Sequence, residues 1–284
     1  MKELLQLYDV QALINIALRE DIGSGDHSSL ACIGNDKIGN AYCLAKDDGI
    51  ICGLDLAEFI FNKIDNSLEF KSNFIDGNEI KKGDTVFTVV GKSISILTAE
   101  RLVLNFMQRL SGVATQSKKI SSLLNGYNTK VLDTRKTTPG MRLFEKYAVK
   151  IGGSYNHRIG LYDMIMLKDN HIDFAGGIKQ AIEKTHQYLK NHNLNLNIEV
   201  ETRNIDEVQQ VLNVGGIQRI MLDNFTPELL KEAITLIDGK FETEASGGIT
   251  IETIQSFAAS GVDFISVGAL THSAKSIDLS LKVV

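Results

Sequence analysis

The sequence has no tryptophan, two prolines and three cysteines in 284 residues. Cys32, Cys43 and Cys52 are an odd number, and none stands in a Cys-x-x-Cys pair. That argues against a disulfide framework and against a zinc knuckle, and points to a cytosolic, reduced protein with buried thiols. No apolar run reaches the ~18 residues of a membrane span. Met1-Lys2-Glu3-Leu4 carries neither the basic region nor the apolar stretch of a signal peptide. Positive charge is in deficit, with 30 Lys and Arg against 35 Asp and Glu, a net charge of -5. This excludes broad nucleic-acid binding but not a small cationic pocket. Apolar residues at 43% and charged residues at 23% exclude a disordered chain, a collagen and a coiled coil. At this length folding buries roughly three quarters of the unfolded surface, enough for a core without disulfides.

The first part of the chain mixes elements irregularly, as α+β arrangements do. Asp9 is placed to cap a helix with Val10, Leu13, Ile14, Ala17 and Leu18 on one face. Residues 40–46, 68–75, 84–90 and 93–97 read as strands, with turns at Asp76-Gly77 and Lys82-Gly83, and Leu54 to Ile64 as a helix. Thr98 then caps a long helix running to about Leu124, with a break expected at Gly112.

Beyond it short apolar strands recur at Lys130–Leu132, Asp163–Leu167, Leu196–Val200, Arg219–Leu222, Phe241–Ala245 and Phe264–Val267. Helical patterns lie between several of them, including 205–212, 227–237 and 251–259. Strand alternating with helix implies parallel strands and crossover helices. Each strand runs into polar or glycine-rich sequence: Asp133-Thr134-Arg135-Lys136, Lys168-Asp169-Asn170, Glu199-Val200-Glu201, Asp223-Asn224, Ser246-Gly247-Gly248 and Gly268-Ala269. Chemistry on six successive strand ends points to a barrel, whose C-terminal face gathers every end around one site. A doubly wound sheet would concentrate it at one switch point. Six strands, seven at most, mean that the barrel is either incomplete or has a further strand that the pattern does not show. No dinucleotide fingerprint or Walker loop is present.

Two successive glycine-rich loops after the final strands suit a phosphate held by backbone N–H groups. The alternative is that small residues simply make tight turns. Arg101, Arg135, Lys136, His157, Arg158 and Lys168 form a cationic set, and clustered Arg suits carboxylates and phosphates. Any one of them could instead be a solvated surface charge. Glu199 and Glu201 flank Val200 and so share one face, with Asp223 ending the next strand. Such carboxylates suit Mg²⁺ or sugar hydroxyls, or pair with Arg135 or Lys168 as an ion network. His186 and His192 read as solvated, His171 and His272 as caps. The 76–91 hairpin lacks the tip lysine of a biotin or lipoyl carrier. Lys168 at a strand end could also form a Schiff base in an aldolase-type barrel, and a phosphosugar-binding barrel without catalysis is a further reading.

Asp133-Thr134-Arg135-Lys136-Thr137-Thr138-Pro139-Gly140 resembles the signature of the quinolinate phosphoribosyltransferase (decarboxylating) family, the carboxylating nicotinate-nucleotide pyrophosphorylases. Glu20 to Asp26, Thr98-Ala99-Glu100-Arg101, Leu110 to Thr115, Asn156-His157-Arg158, Leu167 to His171, Met221 to Asn224 and Ser266 to Ser273 extend the likeness over nearly the whole chain. The departures, Ser28-Ser29 and Thr202-Arg203, touch no residue assigned to chemistry. The resemblance implies an N-terminal α+β sandwich, residues 1–107 rejoined by 271–284, and a barrel of about seven strands at 108–270. It implies conversion of quinolinate and phosphoribosyl pyrophosphate, with Mg²⁺, to nicotinate mononucleotide, pyrophosphate and CO₂ in NAD synthesis. A paralogous phosphoribosyltransferase acting on another aromatic acid is the nearest rival.

The resemblance also implies roles. Arg135, His157, Arg158 and Lys168 would hold the two carboxylates, and Arg101 would reach a partner's site in a dimer or hexamer with shared sites. Lys136 would lie beside the pyrophosphate, and Thr134 would bind substrate. Glu201 and Asp223 would face the ribose and Mg²⁺. Ser246, Gly247, Gly248, Gly268, Ala269 and Leu270 would hold the 5′-phosphate. Lys136, Lys168, Glu201 and Asp223 are the catalytic candidates.

Overall fold

The structure, a computed structural model, describes residues Met1–Val284. In chain order the first elements are α1 (Tyr8–Ile22), α2 (His27–Cys32), β1 (Ile38–Ala45), β2 (Gly49–Ile50), α3 (Leu54–Ile64), β3 (Glu69–Ser72), β4 (Glu79–Ile80), β5 (Thr85–Lys92) and α4 (Ser93–Ser122). Then come β6 (Lys130–Leu132), α5 (Arg142–Ile151), β7 (Ile165–Leu167), α6 (Asp169–Ala175), α7 (Ile178–His192), β8 (Ile198–Thr202), α8 (Ile205–Val214) and β9 (Arg219–Asp223). The chain ends with α9 (Pro227–Ile237), β10 (Glu242–Ser246), α10 (Ile254–Ala258), β11 (Phe264–Ser266), α11 (Ala269–His272) and β12 (Leu279–Val283). They form two compact units. One comprises residues 1–119, 137–153 and 270–284, and the other 120–136 and 154–269. The boundary expected at 107/108 would have cut α4; instead nearly all of α4 belongs to the first unit, joined by the stretch that holds α5.

In the first unit an antiparallel sheet runs β12-β1-β5-β3. The C-terminal strand returns beside β1, from Ala41 opposite Val283 to Ala45 opposite Leu279, as the resemblance implied. Phe61 of α3 packs with Phe70 and Phe87, ring centroids 4.8 to 6.0 Å apart. Asp76, expected merely to turn the chain, does more. Its Oδ1 accepts the N–H groups of Gly53 and Leu54, both at 2.9 Å, at the start of α3. Asp9 does not cap α1; the cap is Leu7, with no side-chain bond, and Asp9 lies in the first turn. Cys43 and Cys52 are buried but Cys32 is exposed, with its thiol donating to the Ser28 carbonyl. Burial pushes the Cys43 thiol up to about 12, which keeps it protonated.

The strand expected at 93–97 is the first turn and a half of α4. Ile94 and Ile96 alternate with polar residues, but the longer pattern is helical. Ile96, Ala99, Val103, Met107 and Leu110 are all buried at spacings of three and four. The break expected at Gly112 is absent, and α4 runs on for 30 residues. A Cβ on Gly112 would lie 2.1 Å from the Lys275 carbonyl oxygen, so glycine there serves close backbone approach, not a break. Three stretches of chain meet on this helix. Arg109 donates to Glu145 of α5 at 2.7 Å and to the carbonyls of Thr271 and Ala274. Glu145, fully buried, also accepts the hydroxyl and N–H of Thr138.

The second unit is a parallel sheet ordered β6-β11-β10-β9-β8-β7. Helices α6 to α10 connect it. Asn204 and Thr226 cap α8 and α9 through their side chains, and Pro227 fills the first position of α9. A seventh position exists beside β6, where Tyr155 bridges Leu132 in parallel. Tyr155 N–H donates to Val131 and its carbonyl accepts from Asp133. No ladder joins this segment to β7, so the barrel is incomplete. One strand and one helix are shorter than expected. Asp163 precedes β7 and accepts the N–H groups of Ile159 and Gly160 in a tight loop. The helix expected at 251–259 is only α10, because residues 251–253 make turns.

We expect Gly112→Ala to destabilise the protein by about 1–3 kcal/mol, because the Lys275 backbone must move. Chemical unfolding checks it; an unchanged midpoint would mean the two segments separate freely.

Candidate active site

The ladder registers bring the strand ends to one level. Ser266 pairs with Leu132, Ala245 with Ile265, Ser246 with Asp223, and Thr202 with Leu222. Leu167 pairs with Val200, so one residue further on Lys168 comes level with Glu201. Thr134, Arg135 and Lys136 follow β6 directly. Of the expected residues of this unit, Lys136, Lys168 and Gly248 are exposed, and Thr134, Arg135, His157, Arg158, Glu201, Asp223, Ser246, Gly247, Gly268 and Ala269 are half-buried. In the first unit Leu270 has a buried side chain, so only its backbone is available, and Arg101 is exposed on α4.

Charge is crowded at this level. Burial lowers the proton affinity of Arg158, and the neighbouring Arg135 lowers it further. Arg158 Nη1 donates to the Met164 carbonyl at 3.2 Å. Arg135 Nε is buried and meets no acceptor. Two neighbouring guanidinium groups with a donor unspent suit an anion. Glu201 is the counterpart. Burial raises its titration, Asp223 raises it further, and Lys168 opposes both. Asp223 Oδ2 accepts from Asn224 Nδ2 at 2.6 Å. Two carboxylates that repel one another beside a lysine fit a hydroxyl-rich ligand or a divalent cation.

The glycine loop after β10 is built for close approach. Gly247 has φ +100°, and a Cβ on it would lie 2.2 Å from Asn224 Oδ1. Asn224 N–H donates to the Ser246 carbonyl at 2.8 Å, so the loops after β9 and β10 are stitched together. His171 acts as a cap, as expected, accepting the Lys168 N–H at Nδ1.

His157 is placed differently from the other cations. Its Nε2–H donates to Glu199 Oε2 at 2.8 Å, with Glu244 Oε2 at 3.5 Å. Its Nδ1 accepts the Arg158 N–H at 2.8 Å. Both ring nitrogens therefore face protein groups, and the side chain is 7% exposed. Burial alone would lower its titration, but the hydrogen bonds to Glu199 and Glu244 carry it up to about 9. The Arg158 N–H works the other way, since an imidazolium has no lone pair to receive it. The buried carboxylates and the Arg158 N–H thus act on this ring in opposite directions. Burial and Glu244 push the Glu199 carboxyl up to about 7. Glu244 stays low despite burial, through His157 and Arg219.

Glu199 thus pairs with neither Arg135 nor Lys168 but with His157. Sequence reasoning missed Glu244, Arg219 and Asp133. Arg219 Nη1 donates to Glu244 at 3.0 Å, and its guanidinium stacks 4.0 Å from the Phe264 ring centroid. Asp133, fully buried, accepts the His157 N–H and the Asn156 amide, both at 2.8 Å. The signal was available in strand parity. Glu242 and Glu244 share a face with Ser246, and Arg219 shares one with Asp223. His157, Glu199 and Glu244 could together ligate a metal ion, but Arg219 and the Nε2–H already compensate the two carboxylates.

The family profile described as "Quinolinate phosphoribosyl transferase, C-terminal domain" matches residues 113–282, and the N-terminal domain of the same family matches 26–111. The chain belongs to the quinolinate phosphoribosyltransferase family. It is 47% identical over 291 residues to "Quinolinate phosphoribosyltransferase [decarboxylating] 1b" of Nicotiana tabacum, covering 97% of this chain and 83% of that protein. It is 40% identical to the "Probable nicotinate-nucleotide pyrophosphorylase [carboxylating]" of Bacillus subtilis (strain 168), covering 96% and 93%. Among solved structures, the nicotinate-nucleotide pyrophosphorylase of Francisella tularensis matches with a TM-score of 0.92 at 41% identity, covering 99% of each chain.

Replacing Arg219 with methionine would leave the fully buried Glu244 without its cation. We expect Arg219→Met to cost about 3–5 kcal/mol of stability, read by chemical unfolding. The double variant Arg219→Met/Glu244→Leu should recover much of that loss. A single variant as stable as the parent would show that Glu244 takes up a proton without penalty.

Proposed function

We propose that this protein transfers the phosphoribosyl group of phosphoribosyl pyrophosphate to quinolinate, releasing pyrophosphate and CO₂ and leaving nicotinate mononucleotide, in de novo NAD biosynthesis. The observation that carries the reading is the pair Arg135 and Arg158, near enough to repel one another, with Arg135 Nε buried and unspent. A dicarboxylate supplies the acceptors that such a pair lacks, and Lys168 adds a third cation. In this reading Lys136 serves the pyrophosphate and Thr134 binds substrate beside it in sequence. Ser246, Gly247, Gly248, Gly268 and Ala269 supply N–H groups for the 5′-phosphate.

As the pyridine nitrogen bonds to the anomeric carbon and pyrophosphate leaves, positive charge develops on the ribose ring. In this reading Glu201 and Asp223 are the anions that stabilise that charge. They also fit Mg²⁺, which when bound neutralises charge on the pyrophosphate. Once joined, the bond to the adjacent carboxylate breaks as CO₂ departs; its electron pair stays on the ring carbon, stabilised by the neighbouring positive nitrogen, and a proton from solvent takes the place of CO₂. No covalent bond to the protein is required. The same proposal includes a cytoplasmic location; the structure contains no helix long and apolar enough to cross a membrane.

A substrate with one carboxylate would leave a buried donor unpaired, a penalty that binding sites use for discrimination. We therefore expect strong preference for quinolinate over nicotinate when nicotinate mononucleotide formation is followed with phosphoribosyl pyrophosphate and Mg²⁺. Equal turnover of the two acids would overturn the assignment.

We further propose a homodimer in which Arg101 completes the partner's site. Arg101→Ala and Lys168→Ala should each be nearly inactive alone. In a mixed dimer one site carries both defects and the other neither. Random re-association makes about half the dimers mixed, so about a quarter of all sites are restored. Co-refolding the two variants should regain activity of that order. Subunit exchange without any recovery would place Arg101 in its own site or in none.

A further inference from the structure

Three residues other than glycine have a left-handed backbone: Asn193 (φ +51°), Asn224 (φ +57°) and Asp238 (φ +50°). Asn193 and Asp238 end α7 and α9, where that conformation is ordinary. Asn224 is different. It follows β9 directly, one residue after Asp223 and two before Thr226, the cap of α9. The chain must leave the strand and enter the helix in that space, with Phe225 buried on the way. The backbone conformation admits asparagine, aspartate or glycine there. The contacts of the side chain decide among them.

Asn224 Nδ2 donates to Asp223 Oδ2 at 2.6 Å. A carboxylate only accepts, so the amide nitrogen must face Asp223. Asn224 Oδ1 then occupies the space that a Cβ on Gly247 would need. The Asn224 N–H donates to the Ser246 carbonyl at 2.8 Å. One residue therefore grips the carboxylate that ends β9 and also lies against the glycine loop after β10. Asp223 is half-buried and stands near Glu201, a like charge. Repulsion alone would turn its side chain toward solvent. The amide opposes that with a hydrogen bond to a charged group, the stronger kind.

We propose that Asn224 is a positioning residue: it holds the Asp223 carboxylate beside Glu201 and in register with the Ser246-Gly247-Gly248 loop, so that the ribose and the 5′-phosphate of one ligand meet groups set as a single piece. The identity of that ligand, phosphoribosyl pyrophosphate, rests on the reaction proposed above. Both attachments serve the phosphoribosyl side, and neither involves Arg135 or Arg158. Asn224→Asp separates this role from a merely structural one. Aspartate keeps the shape and the left-handed backbone but faces Asp223 with a second carboxylate in place of a donor. At about pH 8 both carboxylates are ionised. There the KM for phosphoribosyl pyrophosphate should rise about tenfold or more, the worth of one hydrogen bond to a charged group. The Kd for quinolinate, from calorimetry without the second substrate, should change less than about twofold. Added to Asp223→Asn, the same substitution should cost less than about threefold more, because the group it positions is already gone. A parental KM, losses that multiply in the double variant, or a quinolinate Kd weakened as much as the KM would overturn the proposal.

Should the aspartate variant not fold, Asn224→Gly keeps the positive φ, removes the amide and carries the same expectations. A crystal structure of the parent with ribose 5-phosphate bound needs no substitution at all. Asn224 Nδ2 should still donate to Asp223 in it, and a carboxylate released from Asn224 to reach the sugar would overturn the proposal. Failure of the parent to consume quinolinate would sink the assigned reaction alone. Ribose 5-phosphate binding by parent and variants would then test Asn224 by the same loss of about tenfold. A parent that neither consumes quinolinate nor binds ribose 5-phosphate would overturn both.

Discussion

Two carboxylates lie side by side in the interior of a parallel barrel, where layers of branched apolar side chains are usual. Glu199 and Glu244 are both fully buried, and much of the second unit's architecture follows from keeping them there. Arg219 reaches Glu244 while also pairing with Glu242 at the strand starts. Phe264 covers the guanidinium face. His157 closes the opposite side, and its backbone is in turn fixed by Asp133 at the end of β6. Below the layer of strand ends the interior is therefore a charge-balanced plug, not an oily one. Charges in low dielectric are held by direction as well as distance, so this plug gives the groups above it a defined orientation.

The level above has the opposite character. There the like charges are adjacent: Arg135 beside Arg158, and Glu201 beside Asp223. An arrangement that is unfavourable within the protein becomes favourable when a ligand brings complementary charge. The two levels depend on one another. Repelling cations can be kept together only by a scaffold that does not yield, and the compensated layer beneath supplies it. The same logic explains Gly247, whose lack of a side chain lets the Asn224 and Ser246 loops lie against each other.

Much of this was legible in the sequence because the relevant spacing is short and periodic. The Glu199-Val200-Glu201 alternation puts both carboxylates on one face of β8, and the polar residues after the strands come level with one another at one end of the sheet. What escaped was nonlocal. The Tyr155 strand is a single bridge to Leu132, too short to carry a pattern of its own. Gly112 looks like a helix breaker until the Lys275 carbonyl is seen 2.1 Å from its absent Cβ. Residues 93–97 alternate like a strand, and only burial at helical spacing along the rest of α4 corrects them. Charge type was readable throughout, but charge partners were not, since Arg219 and Glu244 are 25 residues apart along the chain.

His157 sits where the two levels meet. From sequence it belongs with Arg135, Arg158 and Lys168, because all lie near strand ends and can carry positive charge. Its Nε2 lies 2.8 Å from Glu199 and its Nδ1 2.8 Å from the Arg158 nitrogen. Histidine alone among them can give up its charge and become an acceptor. The buried carboxylates favour the charged ring and carry its titration up to about 9, while the Arg158 N–H favours the neutral one. A side chain with two ring nitrogens on opposite edges is thereby suited to join a buried anionic layer to a cationic one.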